Sequence, residues 1–357
     1  MTTYLLAGGG TAGHVNPLLA VADELRGREP ADTVLVLGTR EGLESRLVPA
    51  RGYELLLVDK VPFPRRPNAA AARFPARWLR AVAQVRAHLR ERDVDVLAGF
   101  GGYAAAPAYV AARRERVPYV VHEANARPGL ANVLGARGAA ATGTVFAETP
   151  LRGARVVGMP LRREIVDLDR AARRAEAAAA FGLDPAKPVV LVFGGSLGAR
   201  RLNDALAGSW RDLVAAGWQV LHAAGERNEV AAPEHSAYRV VPYLDRMDLA
   251  FALADLVVSR SGAATVSEVS ALGIPAVYVP YAVGNGEQAL NAAGAVRAGA
   301  ARIVSDAEFT AERVRSEIVP LLADAAALER MRRAADDVGT RQGAANVVAM
   351  LDAARAR

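Results

Sequence analysis

The sequence predicts an α/β protein of two doubly wound, Rossmann-like domains, each a parallel sheet covered by helices, and three observations predict it. The chain has 357 residues, too many for one ordinary core. Short apolar runs alternate with longer helical patterns along its whole length, and hydrophobicity that is continuous within a run marks a strand buried on both faces. A strand–glycine–helix opening also occurs twice, at "YLLAGGGTAGHVNP" (Tyr4 to Pro17) and at "VVLVFGGSLGARRLNDAL" (Val189 to Leu206).

Taken in order, apolar runs at Tyr4 to Ala7, Thr33 to Leu37, Glu54 to Val58, Val94 to Gly99 and Tyr119 to His122 supply the first sheet. A second set follows at Val189 to Phe193, Gln219 to His222, Leu256 to Ser259 and Ala276 to Val279. Between the sets, the stretch from Val157 to Asp184 carries "GMPLRREI", an alanine- and arginine-rich helix and the start of the turn-forming "GLDPAKP". The domains are therefore expected at 1–157 and 158–339. The last periodic segments, Ala323 to Asp337 and Ala344 to Arg357, read as helices with no strand between them, and 340–357 is expected to return to the first domain.

Composition narrows the chemistry. Hydrophobic residues make up 52% and charged residues 23%, as in a soluble globular protein. No run of eighteen apolar residues occurs, and no basic leader with a cleavage site, so the chain reads as cytoplasmic, without a spanning helix or signal peptide. Cysteine is absent, which removes disulfides, thiolate metal sites and cysteine nucleophiles. The five histidines, at 14, 88, 122, 222 and 235, stand at no metal-ligand spacing, so no metal is expected. The net charge of +6, carried almost wholly by arginine, favours phosphorylated ligands, nucleic acid or anionic lipid. Nucleic acid is nonetheless not expected as a partner, because the arginines are spread over many helices and no helix-turn-helix or RNA-binding signature occurs.

The first loop, with Gly8, Gly10 and Gly13, satisfies the G-x-G-x-x-G pattern that lets a backbone approach a pyrophosphate at a helix N-terminus. The dinucleotide fingerprint also wants an acid at the end of the second strand, and that strand ends in Gly38, Thr39 and Arg40. A nicotinamide reading would need Arg40 to hold a 2′-phosphate. Neither loop continues into G-K-[ST], which excludes the phosphate loop of nucleoside triphosphatases. Two domains that each aim a helix start at one crevice would form a site for an anionic ligand.

The segment Tyr243 to Asn291 holds a strand, the turn "RSGAAT", a helix carrying Glu268, a further strand and the loop "GNGEQALN". Ala264 and Glu268 are one helical turn apart, which places the carboxylate on the side of the turn's amides. Amides there suit a phosphate or hydroxyl, and a carboxylate suits two vicinal ribose hydroxyls.

These motifs resemble those of the GT-B glycosyltransferases, and among them glycosyltransferase family 28. The resemblance covers essentially the whole chain through seven blocks in the family's order: "GGGTAGHVNP", "GFGGYAAAP", "VVHEANARPGLAN", "VVGMPLR", "GGSLGARRLN", "SRSGAATVSE" and "GNGEQALNA". It implies two Rossmann-like domains facing across a cleft, and inverting transfer of N-acetylglucosamine from UDP-N-acetylglucosamine to a lipid-linked muramoyl-pentapeptide, with no cofactor. The alternative is UDP-N-acetylglucosamine 2-epimerase, which shares this fold and donor and is separated by whether UDP release needs an acceptor, or another GT-B glycosyltransferase.

The resemblance also assigns roles. His14 is expected as the base, since an imidazole accepts a proton near neutrality, and Glu123 or Asn125 could share that role. His122, ending an apolar strand, reads as a core histidine. Thr11, Ala12, Gly13, Asn125, Arg162 and Ser196 are expected at the donor, with amides of both glycine loops meeting the leaving diphosphate. Leu244 would offer its backbone to uracil, the loop Ala263, Ala264, Thr265, Val266 and Ser267 would wrap the donor, Glu268 would bind ribose, and Gln288 the sugar hydroxyls. Gly101, Gly102, Tyr103 and Glu123 are expected at the acceptor. Two positions depart from the family's pattern: Leu197, where the usual glutamine would offer an amide, and Glu287, expected to point away from the site.

A lipid acceptor calls for a face toward an anionic membrane surface, with the protein peripheral on its cytoplasmic side. In Val61 to Val82, Phe63, Phe74, Trp78, Leu79 and Val82 interleave with Arg65, Arg66, Arg73, Arg77 and Arg80, and no acid occurs.

Overall fold

The structure, a computed structural model, describes residues 1–64, 69–195, 199–228, 230, 233, 235–281 and 286–356. The chain divides into two compact units, Met1–Arg162 with Arg341–Arg357, and Arg163–Thr340.

The first unit holds a seven-stranded sheet of β1 (Thr3–Ala7), β2 (Thr33–Gly38), β3 (Glu54–Leu57), β4 (Val96–Gly99), β5 (Tyr119–Glu123), β6 (Ala141–Thr144) and β7 (Ala154–Val156), in the order β3-β2-β1-β4-β5-β6-β7. Every pairing is parallel; Thr3 to Ala7 of β1 face Thr33 to Leu37 on one side, and Tyr4 to Ala7 face Val96 to Gly99 on the other. The continuous runs "YLLA" and "VLAG" are buried throughout, as a sheet covered on both faces requires.

The second unit holds β8 (Val189–Phe193), β9 (Gln219–Ala223), β10 (Tyr238–Val241), β11 (Leu256–Ser259), β12 (Ala276–Tyr278) and β13 (Ala301–Ile303), in the order β10-β9-β8-β11-β12-β13, again all parallel. In both sheets the order reverses once, between β1 and β4 and between β8 and β11. In open α/β sheets such a switch point leaves a crevice outside the carboxyl ends of the strands, where ligands bind.

Four strands escape the apolar-run reading: β6 "ATGT", β7 "ARV", β10 "YRVV" and β13 "ARI". Three of these are sheet edges and β6 lies next to one. An edge strand keeps one flank in water and tolerates arginine, so it shows no continuous hydrophobic run.

The helix Gly343–Arg355 buries Val347, Val348, Leu351 and Ala354 in the first unit's core with Tyr4, Leu6, Leu18 and Val96. Its start is seated closely: a β-carbon at Gly343 would fall on the Met159 carbonyl, and Asn346 Nδ2 donates to the Val157 carbonyl at 2.9 Å. These contacts keep Val157–Arg162 with the first unit, so the division lies after Arg162 and not at the expected 157/158.

Candidate active site

In the first unit, the loops leaving β1 and β4 meet at the switch point. Phe100 N donates to the Ala7 carbonyl at 2.8 Å, and a β-carbon at Gly8 would lie 3.2 Å from Phe100 Cβ, so the strand exits are packed backbone to backbone. Gly101 and Gly102 take φ values of +94° and +81°, open to glycine and strained for other residues. A β-carbon at Gly102 would strike the Gly9 carbonyl, and one at Gly101 would come within 3.1 Å of His14 Nε2 and 3.4 Å of Asn132 Nδ2.

His14 lies half-buried in the first turn of the helix Ala12–Arg28, with Thr11, Ala12 and Gly13 exposed before it. Its Nδ1 is 3.0 Å from the Gly9 carbonyl oxygen and 3.3 Å from Thr11 Oγ1. A carbonyl can only accept, so Nδ1 carries a hydrogen, and in the neutral imidazole Nε2 then keeps its lone pair. That lone pair sits beside the Gly101 turn.

The first loop is less open to anions than its glycines suggest. Gly10 N donates to the buried Glu44 carboxylate at 2.7 Å. The expectation that this loop's amides meet the diphosphate is corrected at Gly10, whose donor is already used and has a carboxylate beside it.

Glu123 is likewise corrected. It is 2% exposed; Oε1 accepts from Asn125 N at 2.9 Å and Asn125 Nδ2 at 3.4 Å, and Oε2 from Gly129 N and Asn132 Nδ2, both at 2.9 Å. With both oxygens engaged, the side chain shapes the Asn125–Gly129 loop and has no lone pair placed to act as a base or acceptor contact. Asn132, absent from the expected site, ties this hub to the rest: Tyr109 Oη donates to its Oδ1 at 2.7 Å, and its Nδ2 also reaches the His122 carbonyl at 3.0 Å. The only hint in sequence is its position at the end of "VVHEANARPGLAN". His122 itself is fully buried, with Nε2 3.1 Å from the Gly158 carbonyl; desolvation pushes its pKa down to about 4, so it is neutral.

Tyr103 is exposed, and Lys60 Nζ lies 5.1 Å from its ring centre. Nearby in sequence, Phe63, Phe74 and Trp78 form an aromatic cluster with ring centres 4.9 to 6.0 Å apart. Phe63 and Leu79 are exposed, as are Arg73, Arg77 and Arg80, whereas Phe74 and Trp78 pack partly on the core. Val82, expected on the same face, is buried in that core, because the helix Ala69–Glu91 must also cover the sheet. Arg65 and Arg66 lie outside the described residues.

In the second unit the expected donor residues follow four different strands, β8, β10, β11 and β12, in the connections that leave their carboxyl ends. Gly195, after β8, has φ +87°; Ser196 and Leu197 lie outside the described residues. After β11, Gly262 caps the helix Ala263–Ala271 in extended conformation, and Ser267 Oγ donates back to the Ala263 carbonyl at 2.8 Å. Ala263 and Val266 are buried, while Ala264, Thr265, Ser267 and Glu268 are half-buried along the same turns. Leu244, between β10 and the helix Met247–Leu253, is buried. Gly286, φ +75°, starts the helix Glu287–Arg297, and Gln288 Oε1 accepts from Tyr281 N at 2.9 Å. Arg162, half-buried, ends the first of the two segments that make up the first unit.

Sequence reasoning missed the supports of this site. Arg260 Nη1 donates to the carbonyls of Val279 at 3.0 Å and Pro280 at 3.4 Å and pairs with Asp306, fixing the segment that leads to Gln288. Buried Asn291 ties the same helix to the Ser261 carbonyl at 3.3 Å. His222 is held by Tyr238 Oη at 2.9 Å and Asn203 Oδ1 at 3.0 Å, and burial lowers its pKa to about 4.

Comparison with known proteins agrees with both halves. Residues 4–144 match the glycosyltransferase family 28 N-terminal domain and residues 189–348 its C-terminal domain. The chain is 62% identical, over all of its length and 98% of the relative's, to the UDP-N-acetylglucosamine–N-acetylmuramyl-(pentapeptide) pyrophosphoryl-undecaprenol N-acetylglucosamine transferase of Clavibacter michiganensis. It is 58% identical to the Leifsonia xyli transferase of the same name, over 98% of each chain. The crystal structure of Acinetobacter baumannii MurG superposes with a TM-score of 0.82 at 28% identity, covering 99% of this chain and all of that one. UDP-GlcNAc 2-epimerase from Neisseria meningitidis, at 13% identity, with a TM-score of 0.67 and coverage of 99% and 100%, shares the fold.

Proposed function

The chain belongs to glycosyltransferase family 28, and on that premise we propose how its two switch-point sites perform the reaction. It transfers N-acetylglucosamine from UDP-N-acetylglucosamine to N-acetylmuramyl-(pentapeptide) pyrophosphoryl-undecaprenol, a step of peptidoglycan biosynthesis. The transfer is a single inverting displacement. The C4 hydroxyl of the muramoyl sugar attacks C1 of the donor sugar, His14 Nε2 takes the hydroxyl proton, and UDP leaves with the bonding electrons.

The single observation that carries this reading is the His14 geometry: Nδ1 is committed to the Gly9 carbonyl, which leaves Nε2 as an acceptor beside the Gly101 turn. Gly101, Gly102 and Tyr103 receive the acceptor. On the donor side, the Ala263–Ser267 turn wraps the nucleotide, Glu268 accepts from ribose hydroxyls, Leu244 meets uracil through its backbone, and Gln288 uses its remaining amide hydrogens on the sugar. Thr11, Ala12, Gly13, Asn125, Arg162 and Ser196 complete the donor contacts, the last two at the diphosphate, where fixed donors offset developing negative charge. Glu123 supports the site by shaping the Asn125 loop. The test is transfer of radiolabelled N-acetylglucosamine to a lipid-linked muramoyl acceptor, run with and without that acceptor. UDP release that does not need the acceptor would favour the epimerase reaction.

The exposed arginines 73, 77 and 80 around Phe63 and Leu79 suit an anionic membrane surface at the cytoplasmic side, with the protein held peripherally. Among the described residues no helix is long and apolar enough to cross a membrane. Sedimentation with vesicles containing anionic lipid should be strong at low salt and lost at high salt; binding indifferent to salt and lipid charge refutes the assignment.

A further inference from the structure

Glu44 is fully buried at the start of the helix Glu44–Ala50, and three glycines clear the space it fills. A β-carbon at Gly9 or Gly42 would fall on its carboxyl group, and one at Gly38 on its Cγ. Within that space it accepts three hydrogen bonds: Oε1 from Thr39 N at 2.8 Å and Thr39 Oγ1 at 2.9 Å, and Oε2 from Gly10 N at 2.7 Å. Buried carboxylates need such donors to offset lost hydration.

The Gly10 bond has a consequence across the peptide plane. Gly10 N–H and the Gly9 carbonyl belong to one planar trans peptide, so they point in opposite directions. With the N–H held by Glu44, the carbonyl is turned to His14 Nδ1. Turned over, the same peptide would offer its N–H to Nδ1, which would then have to accept, and the hydrogen would move to Nε2. Gly10 has φ +90°, and a peptide between two glycines has little torsional resistance of its own to turning, so its orientation is set by its surroundings, the Glu44 hydrogen bond on one side and the close approach of Gly102 on the other.

We propose that Glu44 is a positioning residue for the transfer: by clamping the Gly9–Gly10 peptide it selects the His14 tautomer whose Nε2 is basic. The inference rests on the assignment of His14 as base. Glu44→Gln separates the parts. Its amide oxygen serves the two Thr39 donors best, which sets its NH2 group against Gly10 N–H and releases that peptide.

The experiment reads the His14 tautomer by ¹⁵N NMR in the full-length protein, assigned by the signal lost in His14→Ala, alongside steady-state kinetics. In the native protein His14 should be protonated at Nδ1. In Glu44→Gln the Nε2-protonated form should appear, and kcat should fall by a factor on the order of 10 to 10³ with KM for UDP-N-acetylglucosamine changed less than about twofold. Nε2 protonation in the native protein overturns the proposal, a result that does not depend on the variant folding. So does a folded Glu44→Gln that keeps the native tautomer, whatever its activity. The NMR arm needs no turnover, so failure of the base assignment is read separately, as near-normal activity of His14→Ala.

Discussion

A histidine acts as a general base only if one ring nitrogen is kept free of hydrogen and turned toward the substrate, and at His14 the Gly9 carbonyl meets the first condition. His14→Ala should therefore lower kcat by a factor on the order of 10² to 10⁴ while UDP affinity, measured by calorimetry, stays near native. Gln288, proposed at the sugar hydroxyls, would be the complementary case of recognition. Its Oε1 is occupied by Tyr281 N, so its NH2 group is what remains for a sugar hydroxyl. A site that hydrogen-bonds one hydroxyl discriminates because an epimer strands its polar group. Gln288→Ala should narrow the ratio of kcat/KM between UDP-GlcNAc and UDP-GalNAc, and an unchanged ratio refutes the contact.

The first glycine loop works as an element because the exits of β1 and β4, on the two sides of a switch point, approach closely. Gly102 combines φ +81° with a β-carbon position on the Gly9 carbonyl, whereas Gly217 has φ +86° and open space around it. Gly217→Ala should cost only ~1 kcal/mol, the left-handed penalty alone. Gly102→Ala should cost more than about 2 kcal/mol and reduce turnover, since the carbonyl that orients His14 must shift. Urea unfolding of both variants with a transfer assay checks the contrast; equal costs would mean the loop is looser than it looks. At this scale the glycines and the block "SGAATVSE" were legible in sequence, because turns and helix starts have local chemistry. Glu44 was not. The sequence shows no acid at the end of β2, yet an acid five residues beyond Thr39 folds back under the loop. Nothing in its spacing marks that return. The edge strands β7, β10 and β13 were hidden for a different reason, since pairing on one side needs no hydrophobic run.

The C-terminal helix matters to the whole molecule because residues distant in sequence share one core with β1 and β4. Removing 341–357 strips Val347, Val348 and Leu351 from that core. At roughly 1.5 to 3 kcal/mol for each large apolar side chain, the loss rivals the 5–15 kcal/mol that holds a typical domain together. The truncated chain should lose protease resistance in the first unit, and a truncation that keeps it would contradict this packing. Acid should weaken both units. His122 and His222 have folded pKa values near 4, so between 6.5 and 4 an unfolded chain binds protons that the folded one refuses. Their contribution is intact above pH 6.5 and falls by about 2 kcal/mol for each histidine by pH 5. Urea midpoints at pH 7.5 and 5 should differ accordingly, and less so in His222→Gln.

By itself the sequence determined the α/β class, the paired glycine loops and the family, because periodicity, turn chemistry and motif order are local properties of the chain. Only the tertiary structure decided which of those groups are free to act. It engaged the Glu123 oxygens with four donors, took the Gly10 amide for Glu44, and aimed the Gly9 carbonyl at His14. A hydrogen bond is spent on whichever partner folding brings within about 3 Å, and that partner is set by the packing of distant segments.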